Sequence, residues 1–122
     1  IFGALNDFFG KYEEYFILPK EHPKAKVTWL AYPLTIRDGA PFKRFELIKF
    51  LEDRNIQTRL LFAGNVLRHP AYRNVPHRVV GSLINADKIM EDSLVIGAHH
   101  GMSLEMVDYI KEVFRDFLSK HS

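Results

Sequence analysis

Cysteine is absent from the 122-residue sequence. Without a thiol, the chain cannot form a disulfide, present a thiolate nucleophile or ligate an iron–sulfur cluster through cysteine. Long apolar runs are also missing, because no stretch approaches the roughly 20 apolar residues that a membrane-spanning helix needs. The start of the chain has no charged segment, apolar core and cleavage site typical of a secretion signal, so we expect a cytoplasmic protein. An apolar fraction of 47% with 26% charged residues is typical of one globular domain.

Acidic residues are missing from one long stretch. Between Asp53 and Asp87 the sequence has no Asp or Glu, although the whole chain carries a formal charge of only +2. The cations of this stretch are all arginines: Arg54, Arg59, Arg68, Arg73 and Arg78. A planar guanidinium group fits the oxygens of carboxylates and phosphates bidentately, so the stretch predicts an anion site. The alternative is that several of these arginines pair with acids elsewhere in the fold, such as Glu52 or Asp92, or face water.

Apolar periodicity predicts alternating helices and strands. In chain order the first four elements are a helix over 1–16, a strand over 27–36, a helix over 41–54 and a strand over 56–62. A long loop over 63–76 follows, with a helical turn near Tyr72. The remaining elements are a short helix over 83–92, a strand over 93–98 and a last helix capped by Ser103. This order favours an α/β domain of the two-layer α+β kind, with about three strands and helices mainly on one face. Because proline removes a ladder donor, we expect Pro33 at an edge or bulge.

Two helices carry apolar stripes that we expect to face the core. The stripe of the second helix is Phe42, Phe45, Ile48 and Leu51, and that of the last helix is Val107, Ile110, Val113, Phe114, Phe117 and Leu118. The first helix is already running at residue 1 with no capping side chain before it. We therefore interpret residues 1–122 as a single domain cut from a longer chain, with a first helix that continues from the missing part.

Several segments of the sequence are similar to one known family, in order and nearly throughout the chain. They are YFILP (15–19), the stretch 40–74, the stretch 78–93 and IGAHHGMSLEMVDYI (96–110). They resemble the C-terminal part of the CDP-4-keto-6-deoxyglucose 3-dehydrases of lipopolysaccharide biosynthesis, which belong to the DegT/StrS family of vitamin B6-dependent sugar enzymes. The most specific element is TRLLFAGN followed by RHPAY, within residues 58–72.

The resemblance implies an architecture of the aspartate aminotransferase type (fold type I), in which this chain is the small C-terminal domain that closes over a large cofactor domain. It implies pyridoxamine or pyridoxal phosphate and a 2Fe–2S cluster in the full-length protein, a nucleotide diphosphate keto-deoxysugar as substrate, a flavin/iron–sulfur reductase as partner, and a homodimer. The family's catalytic His lies in the large domain. The resemblance therefore implies no catalytic residue, no bound cofactor and no turnover in this chain alone.

The resemblance also points to substrate-binding residues. Arg59, Asn65 and Arg68 lie in the most specific element and suit the anionic, hydroxyl-rich substrate. We expect their side chains to converge on one cavity. Arg78 and Lys88 are additional candidates for anion contacts. Lys88 stands where relatives often have Arg, and it keeps the charge but loses the bidentate fork, so the choice between a CDP and a GDP sugar stays open.

The pair His99-His100 stands where relatives commonly have Tyr-Pro. Adjacent histidines on a turn do not easily bind one ion, and no further ligand lies at suitable spacing, so we predict no metal site. Two other functions stay open. One is a domain of a pyridoxal phosphate-dependent sugar aminotransferase. The other is a free-standing module that binds an anion or RNA through the basic stretch Arg59 to Arg78, which the mixed charge of the remaining sequence disfavours for nucleic acid.

Overall fold

The structure is a computed structural model that describes residues 1–121 of the chain. Its helices are α1 (Phe2–Phe9), α2 (Arg44–Glu52), α3 (Ile84–Asp92) and α4 (Leu104–His121). Its strands are β1 (Phe16–Ile17), β2 (Ala31–Ile36), β3 (Thr58–Leu60) and β4 (Ser93–Gly97). Short 3-10 turns lie at Gly10–Tyr12, Val66–Arg68 and Pro70–Tyr72.

The strands form one antiparallel sheet in the order β1-β2-β4-β3. In the centre of the sheet, β2 and β4 pair from Ala31 opposite Gly97 to Thr35 opposite Ser93. Strand β3 pairs with the other side of β4, where Thr58 lies opposite Ile96. Because side chains alternate between the two faces of a strand, one face of this sheet carries the buried residues.

Helices α1, α2 and α4 cover that face and supply most of the core. The sheet contributes Phe16, Tyr32, Leu34, Ile36, Leu94 and Ile96, and the three helices contribute Leu5, Phe8, Phe9, Leu47, Leu51 and all six predicted residues of α4. Burial of so much apolar surface is the main force that holds the two layers together. Helix α3 adds no buried side chain. The expected two-layer α+β fold with helices mainly on one face is therefore confirmed.

Aromatic rings fill the centre of the core. The ring of Phe9 lies 4.8 Å from that of Phe114 and 5.3 Å from that of Tyr32, measured between centroids. Tyr32 is fully buried and its hydroxyl donates a hydrogen bond to Asn6 Oδ1 at 2.9 Å. Burial, with the nearby negative charge of Glu13, raises the pKa of Tyr32 to about 12. This hydrogen bond lets a polar group enter the core without an unpaired hydroxyl.

Strand β1 contradicts two expectations. The sheet has four strands within residues 1–121 and not about three, and the first helix does not extend to residue 16. Helix α1 ends at Phe9, a 3-10 turn follows to Tyr12, and the chain then reverses so that Phe16 pairs with Ile36. The apolar spacing of the first 16 residues is therefore shared by a helix and a strand, because both bury aromatic residues in the same core.

Pro33 lies in the interior of β2, opposite Val95 of β4. The pairing with β1 covers only Thr35 and Ile36, so at Pro33 one side of β2 is open. The strand is thus an edge locally, and the missing N–H donor of proline needs no partner there.

Helix boundaries follow the sequence more closely at the carboxyl end of the chain. Ser103 caps α4 by accepting a hydrogen bond from the Met106 N–H at 3.2 Å, as expected. In α2 the inward stripe is partly wrong: Leu51 is buried, but Phe45 is 74% exposed, and Leu47 is buried in its place. Neither α4 nor any other helix within residues 1–121 is both long and apolar enough to cross a membrane.

Candidate functional site

The segment between β3 and α3, residues 61–83, carries most of the predicted anion-binding residues. We call it the connecting segment. Residues 71–82 of this segment are all exposed. The expected helical turn near Tyr72 is present as the 3-10 turn Pro70–Tyr72. The segment is attached to the domain mainly at its start, through residues 64–69.

Asn65 and Arg68 meet at a carboxylate of α3. The Nδ2 of Asn65 donates to Asp87 Oδ1 at 2.8 Å. The guanidinium group of Arg68 donates from Nε to Asp87 Oδ1 at 3.1 Å and from the terminal NH2 group to Asp87 Oδ2 at 3.2 Å. Asn65 is buried, and its Oδ1 accepts from the Leu67 N–H at 3.1 Å. Both polar atoms of the Asn65 side chain are therefore hydrogen-bonded, and the Nε and NH2 groups of Arg68 both bind the Asp87 carboxylate.

The hydrogen bonds of this cluster shift the pKa values of Asp87 and Arg68. The hydrogen bond from Arg68, followed by that from Asn65, lowers the pKa of Asp87 below its ordinary value of 3.8. The hydrogen bond to Asp87 raises the pKa of Arg68 in turn. Both shifts favour the ionised pair. At neutral pH the pair is therefore charged, and an incoming anion would have to share Arg68 with Asp87 or displace it.

Gly64 seats the connecting segment against α3. Its backbone has φ +71°, and a Cβ placed there would lie 2.5 Å from the Cβ of Met90. A side chain at this position is excluded both by the backbone conformation and by the space. Within the segment, the Nε2 of His69 lies 2.7 Å from the carbonyl oxygen of Ala63, which closes the chain on itself around Gly64 and Asn65. The close backbone approach at Gly64 is therefore made to Met90 of α3.

Arg59 lies apart from this cluster. Its terminal NH1 group donates to the carbonyl oxygen of Thr58 at 3.0 Å, and its guanidinium group lies next to the Gln57 amide. It lines a cleft between α2 and β3, whereas Asn65 and Arg68 line a different cleft in front of α3. The structure therefore brings Asn65 and Arg68 together but not Arg59, and the expected convergence of all three on one cavity is wrong.

The other cations of the stretch differ in their partners. Within residues 1–121, Arg68 is the arginine of this stretch that forms an ion pair, and its partner is Asp87. Arg54 packs its guanidinium carbon 3.3 Å from the centre of the Phe50 ring. Arg73 and Arg78 are exposed, and their side chains make no hydrogen bond or ion pair with any described residue. The alternative of local acid pairing therefore holds for Arg68 alone, and Arg78 keeps its charge free for an anion.

Lys88 is held by two carboxylates. Its Nζ lies 2.8 Å from Asp38 Oδ1 and 2.6 Å from Asp92 Oδ2. Partial burial opposes the charge of Lys88, but the hydrogen bonds to Asp38 and Asp92 outweigh it and raise the pKa of Lys88. An anion contact by Lys88 would therefore compete with both acids.

The His99-His100 turn follows β4. The Nδ1 of His99 accepts a hydrogen bond from the Gly101 N–H at 3.2 Å. His99 lines an apolar cleft with Met102, Met106 and Tyr109. In the part of the chain that the structure describes, no three His, Asp or Glu side chains come close enough to hold a metal ion.

Sequence reasoning missed the role of Asp87. The short helix predicted over 83–92 contains Asp87, and the structure places this residue in the first turn of α3. The available signal was its position as the first acidic residue after the long acid-free stretch. That signal identifies a possible partner for the arginines but not which one it binds.

Comparison with known proteins settles the family. The sequence profile of the DegT/DnrJ/EryC1/StrS aminotransferase family matches residues 1–115. The chain belongs to this family. Lipopolysaccharide biosynthesis protein RfbH of Salmonella typhimurium is 41% identical over 104 residues, which is 85% of this chain and 24% of RfbH. The dTDP-4-dehydro-2,6-dideoxy-D-glucose 3-dehydratase of Saccharopolyspora spinosa is 39% identical over 106 residues, 87% of this chain and 23% of that enzyme. The resemblance seen in the sequence is thereby confirmed.

Solved structures give the same fold. The E. coli GDP-4-keto-6-deoxy-D-mannose-3-dehydratase, solved with bound hydrated PLP, aligns with 91% of this chain and 28% of its own, with a TM-score of 0.80 and 22% identity. An aminotransferase of the same family from Brucella abortus aligns with 94% of this chain at a TM-score of 0.74 and 16% identity. These neighbours confirm the aminotransferase-like, fold type I architecture. The chain spans about a quarter of the length of the curated relatives it matches.

Proposed function

We propose that this chain is the small C-terminal domain of a nucleotide-sugar 3-dehydratase that depends on pyridoxal or pyridoxamine phosphate. The observation that carries this proposal is the identity of 41% and 39%, over more than 100 residues, to RfbH and to a dTDP-sugar 3-dehydratase. Both relatives are about four times as long as the matched region. The domain is then one part of the enzyme, placed to close over the substrate, and it is inactive alone.

The chemistry of the chain's own residues fits the substrate side of such a site. A nucleotide diphosphate sugar presents phosphate oxygens that guanidinium groups bind through charge-assisted hydrogen bonds. Arg59, Asn65 and Arg68 are the proposed substrate contacts, with Arg78 and Lys88 as additional anion contacts. Arg78 has a free charge, while Arg68 is pre-oriented by Asp87. In this proposal the domain binds and orients the anionic substrate and holds no group that transfers a proton.

Neither of the two clefts that hold proposed substrate contacts fits the cofactor on its own. The cleft in front of α3 has its cation paired with Asp87, and the cleft at Arg59 has walls of Phe45, Ile48 and Leu60 and contains no lysine. We therefore assign cofactor binding to the remainder of the protein and derive no step through it here. When bound, the cofactor supplies the electron sink that makes elimination of a sugar hydroxyl accessible.

Further parts of the proposal rest on the family resemblance. They are a 2Fe–2S cluster and a catalytic His in the remainder of the protein, a flavin/iron–sulfur reductase as partner, a homodimer, a cytoplasmic location and a place in the synthesis of O-antigen 3,6-dideoxysugars. Since this chain has no cysteine, cysteine ligands of the cluster must all come from outside residues 1–122.

The parent reading frame tests the proposal against its two alternatives. We expect a frame that continues well upstream of Ile1, with cysteines for a cluster and a His where sugar aminotransferases have the lysine that binds the cofactor. A lysine at that position without the cysteines would favour the aminotransferase. A frame that begins close to Ile1 would leave only the free-standing anion-binding module.

Variants of the full-length enzyme test the substrate contacts. Arg59→Gln and Arg68→Gln should each raise the KM for the nucleotide sugar about tenfold or more, because a hydrogen bond to a charged group contributes about 1.5–3 kcal/mol. Arg115→Gln is the matched control, since Arg115 is exposed on α4 and contacts the Phe8 ring at 5.2 Å. An unchanged KM in both variants would remove these residues from the substrate site.

A further inference from the structure

A cleft between α2 and the outer strand of the sheet has no role in the site described so far, apart from Arg59 at its margin. We call it the edge cleft. It has a volume of about 460 Å³ and is lined by Arg44, Phe45, Ile48, Thr58, Arg59 and Leu60. It lies at one end of the sheet, because β3 pairs only with β4 and its outer edge is open within the described chain.

Large apolar side chains are exposed at this cleft although the pattern of the sequence places them inward. Phe45 follows the apolar period of α2 and is 74% exposed. Leu60 lies opposite the fully buried Leu94 in the sheet and is 54% exposed. Phe62, two residues beyond, is 92% exposed. Exposed apolar side chains grouped in this way are typical of a surface that binds another protein segment or a ligand.

The charged groups of the edge cleft have one sign. None of its lining residues is acidic, and two are arginines. Arg44 donates to the carbonyl oxygens of Met90 and Ser93 at 2.6 and 3.1 Å, and Arg59 donates to its neighbouring carbonyl oxygen. Neither forms an ion pair within the described chain, although the Glu52 carboxylate, which accepts from Thr58, interacts with the charge of Arg59. A partner with an apolar side chain flanked by an acidic one would complement this surface.

The length of the relatives favours a partner that is part of the same polypeptide. The two curated relatives match this chain over only 24% and 23% of their length, so most of a full-length protein of this kind lies outside residues 1–122. We propose that the edge cleft is the docking site for a segment of the same polypeptide outside residues 1–122. That segment inserts an apolar side chain between Phe45 and Leu60 and places a carboxylate at Arg44, so that Arg59 stays available to the proposed substrate.

This inference rests on the proposed function to the extent that both require a longer parent chain. It specifies in addition that the edge cleft is the covered surface and that an apolar and an acidic side chain cover it. It also explains why an apolar helix residue such as Phe45 stays exposed in residues 1–121, because its partner is outside them.

Photo-crosslinking of the full-length protein tests the proposal. Benzoylphenylalanine is introduced in place of Phe45, and, in a separate protein, in place of Asp108, whose side chain is 78% exposed on α4. Mass spectrometry then maps the linked peptides in a mixture of isotopically light and heavy protein. We expect position 45 to link to a peptide outside residues 1–122 of the same, singly labelled chain, in much higher yield than position 108.

Three results would overturn the proposal: links between light and heavy copies, links only within residues 1–122, or a yield at position 45 no higher than at position 108. The dehydratase assay on the same protein separates this inference from the proposed function. An active dehydratase without the expected link refutes the docking site alone. The expected link in a protein that does not dehydrate the sugar refutes the function alone.

Discussion

At the scale of single residues, Asp87 organises the candidate site. One carboxylate takes hydrogen bonds from Asn65 and from the Nε and NH2 groups along one edge of the Arg68 guanidinium group. Arg68 is largely exposed and Asp87 is partly exposed, so the ion pair contributes little to overall stability. Its effect is on position: it fixes the start of the connecting segment and aligns Arg68.

The acidity of Asp87 reports this contact directly. We predict that the Asp87 carboxyl titrates below 3.8 in the folded chain, because hydrogen bonds from Arg68 and Asn65 favour its charged form. In an Arg68→Met variant the pKa of Asp87 should move back up. NMR titration of the side-chain carboxyl carbons measures both values. An Asp87 pKa that does not respond to the variant would show that the contact is absent in solution.

Gly64 offers a second test at this scale. Gly64→Ala should destabilise the chain by about 2 kcal/mol or more, since it combines an unfavourable positive φ with a clash at Met90. Gly81→Ala is the matched control, with φ +66° in the same segment and open space around it. It should cost only about 1 kcal/mol, the backbone part alone. Equal losses in urea unfolding would contradict the close packing of Gly64 on Met90.

At the scale of elements, α2 has two apolar sides, one buried in the core and one exposed. Leu47 and Leu51 are buried in the core, while Phe45 borders the edge cleft. The sequence alone predicts one stripe, because periodicity does not tell a face covered by this domain from a face covered by something outside it. Strand β1 shows the same limit: its two residues continue the apolar spacing of the first helix, and only pairing with β2 makes them a strand.

Paired substitutions in α2 separate its two sides. In the 122-residue chain, Leu47→Ala should lower the free energy of unfolding by about 2–5 kcal/mol, because it leaves a cavity in the core. Phe45→Ala should change it by no more than about 0.5 kcal/mol, as expected for an exposed position. Urea unfolding followed by circular dichroism measures both. A large loss for Phe45→Ala would mean that this ring is buried within the domain itself.

Elements dominated by local signals were predictable. All six apolar residues expected to face inward in α4 are buried, and Ser103 caps the helix, because both features depend on spacing within about one turn. The candidate site is harder to predict from the sequence than these elements. Their motif predicts Asn65 and Arg68 as site residues, and the structure brings them together, but Asp87, which binds both, lies 22 and 19 residues away. Arg59 was expected beside them, and the turn of the chain after β3 separates it from them.

At the scale of the whole molecule, several lowered carboxyl pKa values link stability to pH. The pKa of Asp87 is lowered by Arg68 and Asn65, that of Asp38 by Lys88, and that of Glu52 mainly by hydrogen bonds from Thr58. Each carboxyl binds protons more weakly when folded than when unfolded. The stabilisation is therefore present above the ordinary values of 3.8 to 4.5 and is lost as the pH falls through the folded values.

We accordingly predict a lower melting temperature at pH 3 than at pH 7. Calorimetry over this range measures the difference, and it should shrink in an Asp38→Asn, Asp87→Asn double variant because two of the linked groups are removed. A melting temperature that stays constant between these pH values would contradict the charged pairs as described.

The central claim is that this domain serves a sugar 3-dehydratase, and the fate of the sugar tests it most directly. The full-length protein, loaded with pyridoxamine phosphate, is incubated with a nucleotide 4-keto-6-deoxysugar, glutamate and the flavin/iron–sulfur reductase with its electron donor, and the product is analysed by mass spectrometry and NMR. Our account predicts loss of the hydroxyl group at carbon 3. Retention of that hydroxyl, with an amino group from glutamate appearing at carbon 4, would contradict it and identify an aminotransferase.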